Sequence, residues 1–272
     1  MKWHKSLQSH SSQDRSGHCA RRSLSRVMSK QGICSRREAE QWVLAGKVKV
    51  NGKLASSPDM LVALDAQIEL VGQPTPLPKE YLHYIVMNKR KGVTTTSSDE
   101  LGRTTVYDDL RHFLSAEGIT ERLFAVGRLD KDTEGLLLFT NDNDLADFLT
   151  SPESKVPKTY LATLHKPLSD YAIAQLQRGV AISARGQSYL AQPATLLLHS
   201  RRKVELTLTE GKNREVRRLF EALGCSVEAL MRIGFAGLRL DILQHPPTLN
   251  GHALASGSCL RCLPQDILRG LG

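Results

Sequence analysis

Residues 127–142, GRLDKDTEGLLLFTND, join a charged turn to the apolar run Leu136, Leu137, Leu138 and Phe139. Such a run reads as a buried strand, and a buried strand fixes the position of the turn that leads into it. Asp130 stands in that turn between Arg128 and Lys131. Basic neighbours favour its ionised form and can hold a phosphodiester beside it. A carboxylate among basic residues is also the ordinary pattern of a solvated surface ion pair, so local chemistry leaves both readings open.

The chain has 272 residues, enough for one catalytic domain and a small module. Its apolar stretches, such as Leu196–Leu198, stop well short of a membrane span, and the first residues carry no apolar signal core, so a membrane role is not expected. The five cysteines form no even framework, which fits a reduced, cytoplasmic setting. Cys259 and Cys262 have C-x-x-C spacing but no second pair near by; two semi-buried thiols are expected there, and no metal site.

The net charge of +9 is unevenly placed. Residues 1–53 hold 12 Lys and Arg against 3 Asp and Glu, whereas residues 54–272 hold 25 of each. A surplus confined to one end is suited to tethering a polyanion, because each phosphate contact releases counterions. Residues 1–23, rich in Ser, Arg and His, read as a disordered basic tail, with a transit peptide as the alternative. Residues 24–72 read as a small domain. Ser35 and Glu38 make a capping-box pattern for a helix over 36–45 that Gly46 ends, and Asn51-Gly52 is a hairpin turn within an alternating basic and apolar segment. Arg36, Arg37, Lys47, Lys49 and Lys53 then share a positive face that can contact phosphates.

Pro74, Pro76 and Pro78 mark a stiff linker over 73–80, and a second domain is expected over 81–272. Strands are expected at 82–88, 135–140, 159–164 and 204–209, and helices at 144–150, 170–179 and 214–223. Strands and helices mixed without regular alternation indicate an α+β class.

Gly127-Arg128-Leu129-Asp130, followed by Asp132-Thr133 and Gly135-Leu136-Leu137, resembles the catalytic motif of the bacterial ribosomal-RNA pseudouridine synthases that carry an S4 domain. Lys158-Thr159-Tyr160 is similar to that family's tyrosine motif, and Glu210 to Arg218, EGKNREVRR, to its basic motif. Residues 32–39 and 48–53 resemble the S4 RNA-binding domain. The resemblance covers about residues 22–245 and implies a mixed, mainly antiparallel sheet flanked by helices behind an S4-like module. It further implies isomerisation of a uridine in ribosomal RNA, naked or in an assembly intermediate, by a cytoplasmic monomer without cofactor. By the same resemblance Asp130 is the catalytic carboxylate, Tyr160 stacks on the uracil, and Arg217 forms the ion pair that orients Asp130. Arg128 holds the backbone open, Leu230 packs against the base, and Lys212, Asn213 and Arg214 touch RNA. The sequence departs from the family at Arg90, which stands where the Asn-Lys-Pro-x-Gly turn has proline and so removes that ring's constraint.

Two other functions fit parts of the pattern. Asp130 and Asp132, at i and i+2, would point the same way along an extended segment and make a glycosidase pair, although the basic N-terminal module serves no purpose there. A non-catalytic RNA-binding or ribosome-assembly protein would keep the S4-like segment and need none of Asp130, Tyr160 and Arg217.

Overall fold

The computed structural model describes residues 21–72, 81–97, 99, 101–184 and 186–271. Residues 1–20 of the expected 1–23 tail and the proline segment 73–80 lie outside these residues, and residues 21–23, assigned to that tail, instead form a strand paired with residues 61–63. The chain divides into two compact units between Leu82 and His83.

In the first unit β1 (Arg21–Ser23) leads into α1 (Leu24–Lys30) and α2 (Arg36–Leu44), followed by β2 (Val48–Val50), β3 (Lys53–Leu54), β4 (Leu61–Ala63) and β5 (Ile68–Leu70). The capping box forms. Ser35 Oγ accepts the Glu38 amide at 3.2 Å, and a Glu38 carboxylate oxygen accepts the Ser35 amide at 2.8 Å. Such caps are each worth about 1 kcal/mol. Leu24, Val27 and Met28 of α1 pack with Ala39 and Val43 of α2 over Val48, Val50 and Ile68. Asn51 and Gly52 both have positive φ, 49° and 79°, as the tight turn between β2 and β3 requires. Alternation along β2 buries Val48 and Val50 and leaves Lys49 on the opposite face. Arg36, Arg37, Lys47 and Lys53 are exposed.

The second unit carries β6 (Tyr84–Lys89), α3 (Val106–Ala116), β7 (Phe124–Ala125), β8 (Thr133–Thr140), α4 (Asn143–Thr150), β9 (Lys158–Leu164), α5 (Asp170–Arg178), β10 (Val180–Ala184), β11 (Gln187–Ala191), β12 (Thr195–Ser200) and β13 (Lys203–Leu208). It ends with α6 (Glu215–Ala222), β14 (Val227–Phe235), β15 (Leu238–Asp241), β16 (Thr248–Leu249), β17 (His252–Ala253), β18 (Cys259–Arg261) and α7 (Pro264–Leu268). One large mixed sheet runs β12-β13-β9-β14-β15-β16-β17, with β8 beside β14 and carrying β6, β7 and β18. Its ladders are antiparallel except the pairing of β8 with β14, which sets Thr133, Glu134 and Gly135 opposite Leu230, Met231 and Arg232.

The apolar run does form the buried strand β8, and period-two geometry splits it between two cores. Leu136 and Leu138 pack with Val86 and with Leu145 and Leu149 of α4 on one face. Leu137 and Phe139 pack with Ile85, Met87 and Leu110 of α3 on the other. Each of these side chains contributes about 1.5–3 kcal/mol on burial, which is what fixes the preceding turn in place.

Gly135 is required where β8 meets β14. Its φ is +101°, and a Cβ there would lie 2.2 Å from the Arg232 carbonyl oxygen. Expected helix and strand limits shift by one or two residues, with one consequence for the site: α6 begins at Glu215, so Arg214 lies outside it at φ 51°.

Candidate active site

The turn carrying Asp130 is held by its own backbone. Leu129 is buried in the α3 core, and Thr95 Oγ1 donates to its carbonyl at 2.8 Å while accepting its amide at 3.3 Å. The Asp130 carbonyl accepts the Thr133 amide at 3.0 Å. Lys89, fully buried at the end of β6, donates from Nζ to the carbonyls of Lys131 (3.2 Å), Thr133 (2.8 Å) and Arg90 (3.1 Å). The Gly92 amide also donates to the Lys131 carbonyl, at 2.9 Å. Arg217 Nη2 donates to the Asp132 carbonyl at 2.9 Å. Every carbonyl from 129 to 133 therefore has a donor, and the Asp130 side chain is left to face an adjoining open space.

That space is a cleft of about 810 Å³, a volume within the usual range of small-molecule sites. Asp130, Arg128, Tyr160, Leu230, Lys212, Asn213 and Arg214 all line it. Asp132 does not, which leaves the glycosidase pair without a shared cleft.

The partner of Asp130 differs from expectation. Arg214 Nη1 lies 3.8 Å from Asp130 Oδ2, with both side chains partly open to solvent. Arg217 is buried and spends its guanidinium on the carbonyls of Asp132 and Val227, the latter at 3.0 Å. The expectation that Arg217 pairs with Asp130 is thus corrected to Arg214. A helix over 214–223 would set Arg214 and Arg217 on one face, whereas Arg214 is in the left-handed region ahead of α6 and leaves that face.

The loop before α6 is equally constrained. Glu215 is buried and accepts the Lys212 amide at 3.1 Å, and burial pushes its carboxyl upward from the usual range. Lys212 pairs with Glu210 and sits 3.3 Å over the Tyr189 ring. Asn213 Oδ1 accepts from Arg218 at 3.1 Å. Arg90, in place of the proline, makes a bidentate ion pair with Asp109 at 2.8 and 2.9 Å, which restrains the 89–92 turn by other means.

Sequence reasoning missed Lys89 and Thr95 as supports of the turn, and left Arg232 unassigned. A lysine or arginine inside an apolar strand shows its role only once the neighbouring carbonyls are placed. Burial of Lys89 lowers its amine to about 8 despite the nearby carboxylates. Cys259 and Cys262 are partly buried, their thiols pushed up to about 12 by burial, and no cluster of metal ligands occurs among the described residues.

Residues 83–222 match the family model described as RNA pseudouridylate synthase, and residues 22–68 match the S4 domain. The chain belongs to the RNA pseudouridylate synthase family. It is 36% identical over 220 residues to ribosomal large subunit pseudouridine synthase B of Bacillus subtilis (strain 168), covering 80% of this chain and 86% of that protein. It is 35% identical over 221 residues to the Haemophilus influenzae protein of the same name, covering 80% of this chain and 60% of that longer relative. A crystal structure of a pseudouridylate synthase superposes with a TM-score of 0.61 at 27% identity, over 90% of this chain and 97% of that one. The α+β architecture is that of this family, and the protein is an isomerase with an S4 RNA-binding module. No helix among the described residues is long and apolar enough to cross a membrane.

Proposed function

We propose that this chain converts a uridine of large-subunit ribosomal RNA to pseudouridine, with Asp130 as the catalytic carboxylate. The observation that carries the proposal is the Asp130 turn: its backbone is tied at every carbonyl, and its side chain faces a cleft shared with Tyr160, Leu230 and a cation. The reaction breaks the bond from C1′ to N1, turns the base, and forms the bond from C1′ to C5. N1 gains a proton and C5 loses one, so no electrons are exchanged and no redox cofactor is needed. A fixed carboxylate supplies negative charge at the sugar while the base is detached. Tyr160 offers a ring on which the uracil stacks, Leu230 closes the apolar wall, and Arg128, Lys212, Asn213 and Arg214 meet the phosphates at the rim. The target nucleotide must be flipped out of folded RNA, at a cost of about a few kcal/mol. The positive face of the first unit, with Arg36, Arg37, Lys47, Lys49 and Lys53, offsets that cost by tethering the RNA.

The large-subunit assignment rests on the names of the relatives above. Cysteines without a paired framework and a ribosomal target favour action in the cytoplasm. The test is to incubate the protein with unmodified ribosomal RNA transcripts, naked and assembled, and map pseudouridine. The wild type is expected to modify one large-subunit site and Asp130→Asn none. Modification by the variant would remove Asp130 from the role, and modification of small-subunit RNA alone would overturn the subunit assignment.

A further inference from the structure

Arg232 lies at the centre of β14, opposite Tyr160 on β9 and Gly135 on β8. Strand alternation puts it on the face of Leu230, and both line the cleft, while Met231 between them packs into the other core. Only 2% of Arg232 is exposed. Its Nε donates to the Leu136 carbonyl at 2.7 Å, and its guanidinium carbon stands 4.7 Å from the centre of the Phe235 ring. Nη2 has no hydrogen-bond partner among the described residues.

Among the described residues this buried cation has no carboxylate partner. Burial disfavours its charge, and the neighbour that favours the charge is the Tyr160 hydroxyl. Lys158, two residues before Tyr160, is a second cation close enough for Arg232 to disfavour its protonated form. A buried charge without a counterion is costly, and the bond to the Leu136 carbonyl offsets only part of that cost. An arginine at this point is therefore poorly explained by stability and well explained by its place directly across from Tyr160, with both residues lining the cleft.

We infer that Arg232 is a positioning residue for Tyr160, holding the phenol hydroxyl at the floor of the cleft so that the ring is set for the uracil. This rests on the function proposed above. Arg232 acts through Tyr160 on the chemical step and has no part in holding RNA, since its guanidinium lies beneath the surface that RNA meets.

The experiment is a double-mutant cycle on the full-length protein with a ribosomal RNA substrate, measuring single-turnover pseudouridine formation and RNA affinity. Arg232→Met is expected to slow turnover about 10- to 100-fold, the order of loss on misplacing a reacting group by an ångström. RNA affinity should stay within about two-fold, and the loss of the Nε bond to the Leu136 carbonyl is set against relief of an uncompensated buried charge, so the unfolding midpoint should change little. In a Tyr160→Phe background the same change should slow turnover less than about three-fold, because the hydroxyl it positions is absent. Arg232→Lys provides a second cycle, with the charge kept, should the methionine variant not fold. Equal effects of the Arg232 substitutions in both backgrounds, or wild-type turnover in their presence, would overturn the inference. Wild-type protein that forms no pseudouridine on any ribosomal RNA defeats the proposed function instead.

Discussion

Arg214 and Arg217 lie one turn apart in sequence, yet their substitution by methionine should have opposite signatures. Arg217 is 8% exposed and satisfies two backbone carbonyls, those of Asp132 and Val227. Removing the guanidinium strands both acceptors, at about 1–3 kcal/mol each. Partial access of water to the Asp132 turn reduces the sum, and a loss of about 2–4 kcal/mol is expected for Arg217→Met. Arg214 is 44% exposed, and its partner Asp130 is 34% exposed at 3.8 Å. Solvent screening limits such a pair to less than about 1 kcal/mol of stability. Its effect on turnover should be far larger, about 100-fold, because the pair acts where charge develops in the reaction. Urea unfolding of the two variants, paired with single-turnover release of the uridine C5 hydrogen, separates the cases. A fully stable but inactive Arg217→Met beside an active Arg214→Met would refute this assignment and make Arg217 the partner of Asp130.

Three further outcomes are expected. The amine of Lys89 is lowered to about 8, chiefly by desolvation, so between about pH 8 and 10.5 the unfolded chain holds a proton that the folded chain has released. Its contribution to stability is present above that window and lost as pH falls through 8; the stability of wild type relative to Lys89→Met should rise by up to about 3 kcal/mol from pH 8 to 10, and a flat difference would show that Lys89 stays charged. Gly135→Ala places a methyl group against the backbone of β14 at positive φ, and should cost over about 4 kcal/mol, seen as insoluble protein or a midpoint lowered by about 10 °C or more; a soluble protein with the wild-type midpoint would mean β8 and β14 can separate freely. Replacing Arg36, Arg37, Lys47, Lys49 and Lys53 by Gln should weaken RNA binding and reduce the slope of log affinity against log salt by about 3 to 4, whereas an unchanged slope would dismiss the tether.

Much of this protein was legible in its linear order. The capping box at Ser35, the Asn51-Gly52 turn and the 136–139 run depend on contacts within a few residues or on a simple period, so local rules were enough for them. The α+β class followed from the irregular alternation of elements, and the concentration of positive charge before residue 54 needed only counting. Resemblance to the family's motifs assigned Asp130, Tyr160, Leu230 and the 212–214 loop to one site, and all of them line one cleft.

The partners of these residues were decided by tertiary structure. Asp130 meets Arg214 because a left-handed residue just ahead of α6 redirects that side chain, a backbone choice set by the buried Glu215 and its bond to the Lys212 amide. Lys89 and Arg232 sit within strands whose neighbours are mostly apolar, and nothing in sequence spacing says which carbonyl or hydroxyl each will face. Those contacts span 44 positions from Lys89 to Thr133 and 96 from Arg232 to Leu136. Sequence by itself pointed to the residues that line the cleft; sheet register determined which cations hold them, because hydrogen bonds depend on distances that only the pairing of β8, β9 and β14 sets.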